Sequence, residues 1–236
     1  IWANMYTFTP PVEARKITYY HGSGSASLVG VLSNNFPGLM PIATLFREGG
    51  VSYGGEGNVA QVIENVDSFI STVTGGHLYV AIDYATKEGT RSWTPEIGKK
   101  NLNIIRQLLK LKENPLRKLG KVFFKVENRR IRLWKQLSDE ERDLIQNPFP
   151  IIYRFNEDGE FHNNLYFQSG REVCVTKTIG VDDLNIHVPL SQIDRVERMA
   201  RSKGHSPKIL DFSELVMIDS LFEDHKRSLE KLLQNS

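Results

Sequence analysis

The hydrophobic period of this chain changes twice, and that change limits what it can fold into. Residues 16–21 (Lys-Ile-Thr-Tyr-Tyr-His) are rich in β-formers and stop at Gly22, which reads as a strand. From residue 77 the spacing turns helical. Leu78, Ala81, Ile82 and Ala85 share one face, Leu102, Ile105, Leu108, Leu109 and Leu111 mark a second helix, and residues 126–137 a third. Ser138-Asp-Glu-Glu141 has the form of a capping box opening another helix that ends before Pro148. From Pro150 the pattern is strand-like again, with candidates at 151–155, 172–176 and 186–188. Strands at both ends with helices between them require distant strands to share a sheet. The expected fold is α+β, one domain over residues 1–236 with a helical insertion at about 98–147.

Shorter elements complete the reading. Serines precede a short helix at 25–33, Pro41 opens another at 41–48, and 69–73 reads as a strand broken by Gly75 and Gly76. Pro189 opens a helix to about Lys203. The tail from Ser213 carries Leu215, Ile218, Leu221, Phe222, Leu229 and Leu232 as an amphipathic terminal helix.

Composition narrows the function classes. The single cysteine, Cys174, excludes a disulfide within the chain, and its alternating strand context makes it a packed small hydrophobe rather than a reactive thiol. No apolar run approaches the ~20 residues that span a bilayer, so no membrane is expected as a partner. The sequence opens on Ile1 with no charged-then-apolar leader, which is compatible with a piece excised from a longer protein. The formal net charge is +2, yet Lys99 to Lys135 holds thirteen Lys or Arg and two acids, Glu113 and Glu127. This block reads first as a solvated helical face, and next as a match for an acidic protein surface or a phosphate-bearing ligand. Its aromatics are few (Phe123, Phe124, Trp134), so nucleic acid is not an expected partner. No histidine–cysteine cluster suggests a metal.

Three short constellations carry chemistry. Tyr19-Tyr20-His21-Gly22-Ser23 ends a strand on a histidine and a glycine, where a flat ligand can approach the backbone and pair with its N–H and C=O. The same letters approximate a dinucleotide fingerprint, Gly22-Ser-Gly24-Ser-Ala-Ser27, but Ser27 replaces the third glycine and no acidic residue ends a second strand at the usual distance. Ser71-Thr72 sits in the β-branched run 69–73, followed by the helix with Tyr84. Arg171-Glu172-Val-Cys-Val puts a carboxylate at the head of an apolar strand, where it can face a cleft. Taken singly, each reads as structural.

Together and in this order, they resemble the ADP-ribosyltransferase superfamily: a His-Gly-Ser strand, a Ser-Thr strand with an Ala-x-x-Tyr-Ala helix (Ala81 to Ala85), then a strand led by glutamate. Gly38-Leu-Met-Pro-Ile-Ala-Thr-Leu-Phe and Gly50-Val-Ser-Tyr-Gly-Gly-Glu56 are similar to connecting segments of effector-type, toxin-like members from intracellular bacterial pathogens. The resemblance implies a split β-sheet core, NAD as co-substrate, and mono-ADP-ribosyl transfer to a host protein by an effector secreted into the host cytoplasm, a cytoplasmic enzyme being the alternative. It implies that His21 bonds a ribose hydroxyl, that the backbone of Gly22 with Ser23 holds the nicotinamide amide, and that Tyr84 borders the cofactor. Ser71 with Thr72 would brace the catalytic Glu172, and Tyr166, Phe167 and Gln168, in the loop before it, would touch the acceptor. The segment Asn164–Gly170 also resembles a protease recognition site. Asn163 stands where that site needs glutamate, so the segment reads as natural. Gly170, two positions before Glu172, is not the acid or amide of arginine-directed members, which argues against arginine as acceptor. His21 stands where the branch with the Ser-Thr strand has arginine. Tyr79 lies in a helix rather than at the aromatic position of chain-elongating members, so single transfer is implied. The alternatives are a non-catalytic NAD- or partner-binding module of the same fold and an RNA 2′-phosphotransferase relative. The latter needs basic residues around the site, whereas the basic block falls in the helical insertion.

Overall fold

A computed structural model describes residues 17–40, 45, 48–53, 73–110, 114–157, 165–169, 172–175, 178–218 and 223–234. In chain order the elements are β1 (Ile17–Gly24), α1 (Leu28–Val31), β2 (Val73–Gly76), α2 (Leu78–Glu88), α3 (Pro95–Leu109), α4 (Asn114–Trp134), α5 (Asp139–Gln146), β3 (Pro150–Glu157), β4 (Leu165–Ser169), β5 (Glu172–Val175), β6 (Asn185–Val188), α6 (Ile193–Ser202), β7 (Lys208–Asp211), α7 (Ser213–Val216) and α8 (Glu223–Gln234). The strands form one sheet in the order β4-β5-β2-β1-β3-β6-β7, with antiparallel neighbours except the parallel pair β6–β7. The fold is α+β: helices interrupt the strand order between β2 and β3, and the sheet joins sequence-distant strands.

Because successive residues of a strand face opposite sides, β1 divides its side chains between two layers. Tyr19 lies in a core built with Tyr153, Phe155, Leu144, Ile145 and the apolar side of α6. On the other face Ile152 packs with Leu78, Ala81, Ile82 and Ala85 of α2 and with Phe212, Leu215, Leu229 and Leu232 of the C-terminal helices. Glycine is required where α2 crosses β1. A Cβ on Gly22 would collide with the backbone carbonyl of Ala81, and one on Gly24 with that of Glu88. Helix backbone therefore lies directly on strand backbone, closer than any side chain permits.

Local chemistry explains the helix ends. Ser138 Oγ accepts from the Glu141 N–H (3.1 Å) while Glu141 Oε2 accepts from the Ser138 N–H (2.9 Å), the reciprocal capping expected from the sequence. Glu141 also pairs with Lys203, tying α5 to the end of α6. Ser25 is not a helix cap. Fully buried, it donates to the Leu144 carbonyl (2.7 Å) and accepts from the Phe149 N–H (3.1 Å), stitching β1 to α5 and β3.

Helices α3 and α4 run antiparallel, as the contacts of Asn101 with Glu127 and Arg106 with Phe124 require. They begin earlier than the periodicity suggests, at Pro95 and Asn114 rather than near 102 and 126. Between them and residues 50–53 lies a buried ion pair. Arg130 Nη1 donates to Glu127 Oε1 (3.1 Å), Asn101 Nδ2 donates to the same oxygen (2.9 Å), and Arg130 Nε donates to the Ser52 carbonyl (2.6 Å). Tyr53 Oη closes the network on the Arg130 carbonyl (3.0 Å), and its ring meets Trp93 edge-on.

Other expectations need correction. Gly75 and Gly76 do not break the second strand but form its end, and residues 69–72 lie outside the described residues. Residues 165–169, expected in a loop, are strand β4; β7 was not expected at all. The terminal helix is two pieces, α7 and α8. Of the expected helix at 41–48, most positions lie outside the described residues.

Two stability outcomes follow. Gly24→Ala should cost about 1–3 kcal/mol in urea unfolding, because Glu88 backbone cannot move without moving α2. Arg130→Met strands a buried carboxylate and should cost about 3–5 kcal/mol, while Glu127→Leu/Arg130→Met together recovers most of it. Equal losses for the single and double variants would show that the pair does not act as a unit.

Candidate functional site

The first and third sequence constellations belong to β1 and β5, the two strands that flank β2 in the sheet. Glu172 opens β5 opposite Gly76, and Gly76 is opposite Tyr20. The same backbone row continues through Arg154, Asn185 and Lys208. Two strand spacings place the Glu172 backbone about 10 Å from that of Tyr20 and His21. Ser71 and Thr72 lie outside the described residues, and β2 begins at the next position, Val73.

The joint between β1 and β2 is short. Among the described residues it is a single registered pair, Tyr20 with Gly76, whereas β1 pairs with β3 over eight positions and β2 with β5 over four. Which backbone groups this leaves open can be derived. Gly24 stands opposite Pro150, which has no N–H, and the next residue, Ser25, donates its N–H to the Phe149 carbonyl (2.8 Å). In an antiparallel ladder hydrogen-bonded and non-bonded pairs alternate, so Ser23, His21 and Tyr19 exchange bonds with β3. Tyr20, Gly22 and Gly24 therefore turn N–H and C=O toward the β2 side. There Tyr20 meets Gly76, and no strand residue is registered opposite Gly22 among the described residues.

His21 is half-buried, on the opposite face from α2. Its ring stacks on Tyr153 at 6.0 Å with a 29° interplanar angle, and the next pair along the strands, Tyr19 with Phe155, stacks at 5.8 Å. The fully buried Tyr153 is fixed in turn. Ser27 Oγ donates to the Gly24 carbonyl (2.7 Å), so it accepts from the Tyr153 hydroxyl (2.7 Å), and burial pushes that hydroxyl's pKa up. His21 thus rests on a buried, hydrogen-bonded aromatic ring.

The other sequence-derived positions divide. Gly22 serves helix packing with its α-carbon, and α2 covers that face of it. Ser23 is buried, 5% exposed, within the sheet rather than presented to a cleft. Tyr84 is 42% exposed on α2, which covers the face of the sheet opposite His21. Tyr166, Phe167 and Gln168 belong to β4, where Phe167 stands opposite Cys174 and Gln168 opposite Val173, and the register shifts between Leu165 and Phe167. A shift of that kind is a bulge, which bends a strand locally. The expected acceptor loop is therefore an edge strand beside β5.

Two polar residues went unnoticed in the sequence. Arg154, in the row of Tyr20 and Glu172, keeps its Nε buried without a hydrogen-bond partner among the described residues, and its charge draws down a Tyr20 hydroxyl pKa that burial raises more. Its signal is a lone cation inside Ile-Ile-Tyr-Arg-Phe. His187, fully buried on β6, shares Nδ1 with the Asp211 carbonyl (3.1 Å), and Nε2 has no hydrogen-bond partner among the described residues. Among the described residues no group of His, Cys, Asp or Glu is placed to hold a metal ion, and no helix is long and apolar enough to cross a membrane.

No protein-family model, curated protein or solved structure matches this chain. Its own geometry is what a functional reading rests on.

Burial holds the His187 pKa below the ordinary histidine value, partly offset by the bond to the Asp211 carbonyl. The folded state then stays neutral at a pH where an unfolded histidine, with a pKa of about 6.5, takes a proton. Its stabilising contribution is complete above about pH 6.5 and is lost as pH falls toward the folded value. Tm should fall from pH 7 to pH 5, and less steeply in His187→Asn. Parallel profiles would assign the loss to other groups.

Proposed function

We propose that this chain is a mono-ADP-ribosyltransferase that cleaves NAD and transfers ADP-ribose to a protein side chain, releasing nicotinamide. The observation that carries this reading is the edge of β1 at Gly22, opposite which no strand residue is registered among the described residues, with the strand led by Glu172 next beyond β2. A primary carboxamide presents one acceptor and two donors, and a strand-edge N–H with its own C=O is their complement. NAD is the co-substrate that offers such an amide on the leaving group. His21, held on Tyr153, would bond a ribose hydroxyl. Glu172 would take the ribose 2′-hydroxyl and stabilise the positive charge that develops as the glycosidic C–N bond breaks and its electron pair leaves with nicotinamide. The acceptor nucleophile then bonds the ribose C1 and loses its proton. Ser71 and Thr72, immediately before β2 in sequence, would brace the glutamate. Strand β4, with Tyr166, Phe167 and Gln168, borders β5 and is the acceptor-facing candidate. Gly170 disfavours arginine as acceptor, and a host protein reached by a secreted effector is the partner this reading implies.

One observation favours a second reading, a non-catalytic NAD-binding module: Glu172 occupies the row of Tyr20 and Gly76, one residue out of step with His21.

The deciding assay is nicotinamide release from NAD, with and without cell lysate, for the native chain and Glu172→Ala, alongside the NAD-induced shift in Tm. Lysate-stimulated release that drops about 10²–10³-fold in the variant is expected, the usual cost of removing one preorganised electrostatic group. A shift in Tm with no release in any lysate selects the binding module. Neither shift nor release overturns both.

A further inference from the structure

Side chains alternate along β3, so Ile152 and Arg154 share the face on which α2, α7 and α8 pack. On β6, His187 stands opposite Ile152 and Asn185 opposite Arg154. His187 and Arg154 are therefore diagonal neighbours on that face, with α-carbons about 7–8 Å apart. His187 is fully buried. Its Nδ1 meets the Asp211 carbonyl at 3.1 Å, and a carbonyl oxygen only accepts. Nδ1 thus carries the hydrogen of the neutral ring, and Nε2 carries a lone pair. Nε2 has no hydrogen-bond partner among the described residues, and neither has the buried Arg154 Nε.

A proton on Nε2 would have no acceptor there, and would set a second positive charge beside the first. Burial is the largest obstacle to that proton and the Arg154 charge adds to it, against the bond to the Asp211 carbonyl and the charges of Glu214 and Asp211. Glu214, on α7, is exposed, and the Asp211 carboxylate, at the end of β7, accepts from the Ser213 N–H (2.5 Å). Tyr20, beside Arg154 on β1, stays a neutral hydroxyl because burial raises its pKa. Helices α2 and α8 bring apolar side chains to this face, among them Ala81, Ile82, Leu229 and Leu232.

A charged His187 therefore needs water at Nε2, which requires part of its cover to leave. Strand β7 is at the sheet edge, registered only with β6 among the described residues and over four positions, and α7 is a single turn. Helix α8 has its own tie to α2: the His225 ring packs on Tyr79 (4.8 Å), and its Nε2 lies 3.9 Å from an Asp83 carboxylate oxygen, a contact that acid strengthens. We propose that His187 is an acid-operated release, such that on its protonation β7 and α7 leave β6 and admit water to Nε2, while α8 stays on α2.

The test is amide hydrogen exchange of the whole chain at pH 7 and pH 5.5, read by mass spectrometry and corrected for the intrinsic rate at each pH. A ring that is neutral when covered and has an ordinary pKa of about 6.5 when open makes opening about tenfold more favourable at the lower pH. That increase is expected in peptides from residues 208–216, with those of β1 and β3 unchanged. His187→Asn keeps an N–H for the Asp211 carbonyl but takes up no proton, and should abolish the increase. Arg154→Met removes the like charge, so the covered ring accepts a proton more readily and the increase should shrink. No increase in 208–216, an equal increase in β1 and β3, or a native-sized increase in His187→Asn would each overturn the proposal.

Discussion

The contact on which this architecture depends is backbone against backbone, where α2 lies on β1 at Gly22 and Gly24. Only His77 separates the end of β2 at Gly76 from the start of α2 at Leu78. Once α2 is drawn onto β1, the direction in which β2 approaches is constrained, and the two strands share just the pair Tyr20 and Gly76 among the described residues. Beyond that pair, β1 is held by β3 and β2 by β5. Close packing on the face of β1 and the short β1–β2 pairing beside it among the described residues are thus two results of the same glycines. A side chain at either position would lift α2 and remove the constraint that ends the β1–β2 ladder.

The helical insertion is anchored differently. Its attachment to residues 50–53 runs through polar groups that are buried and directional: Arg130 to the Ser52 carbonyl, Tyr53 to the Arg130 carbonyl, and the Trp93, Trp134 and Tyr53 rings around them. Buried charge contributes little net stability when compared with a well-packed apolar substitute, but its loss from one side is expensive, so it fixes a particular arrangement. That arrangement turns one face of α4 inward and leaves Lys121, Lys125 and Arg132 exposed on the other. The charge asymmetry visible in the sequence becomes a surface feature because a single pair inside the hairpin absorbs Glu127.

How far the sequence could be read depended on whether a local rule or a tertiary contact decided each segment. Strands β1, β3, β5 and β6, helix α2 and the Ser138 capping box follow from period and cap chemistry, which act within a few residues. Gly75 and Gly76 defeat the rule that glycine ends a strand, since pairing with β5 and with Tyr20 holds them extended. Strand β4 has a bulge and is flanked by Asn163, Asn164 and Gly170, residues that signal a turn, so pairing with β5 decides it. Lys208 to Asp211 is too short to show a period and becomes β7 by parallel pairing with β6. At the site, His21 and Gly22 lie on β1 and Glu172 on β5, with β2 between them, while Tyr84 is partly exposed and Ser23 buried. Neither exposure can be read from a short motif, because each depends on which face a helix covers.

The one-residue offset between His21 and Glu172 is where the fold and the proposed chemistry constrain each other most. On a continuous flat sheet, adjacent residues of neighbouring rows face opposite sides, and a histidine and a glutamate so placed could not attend one ribose. Two features of this sheet depart from that picture. Neighbouring strands twist by roughly 20–25° each, so β5 is rotated against β1 by about twice that amount. The joint between them is one registered pair, which transmits little of the alternation of one leaf to the other. In the observed register Glu172 stays in the row of Tyr20 and Arg154, so the proposed sharing of one ribose with His21 would depend on that twist and on the short joint.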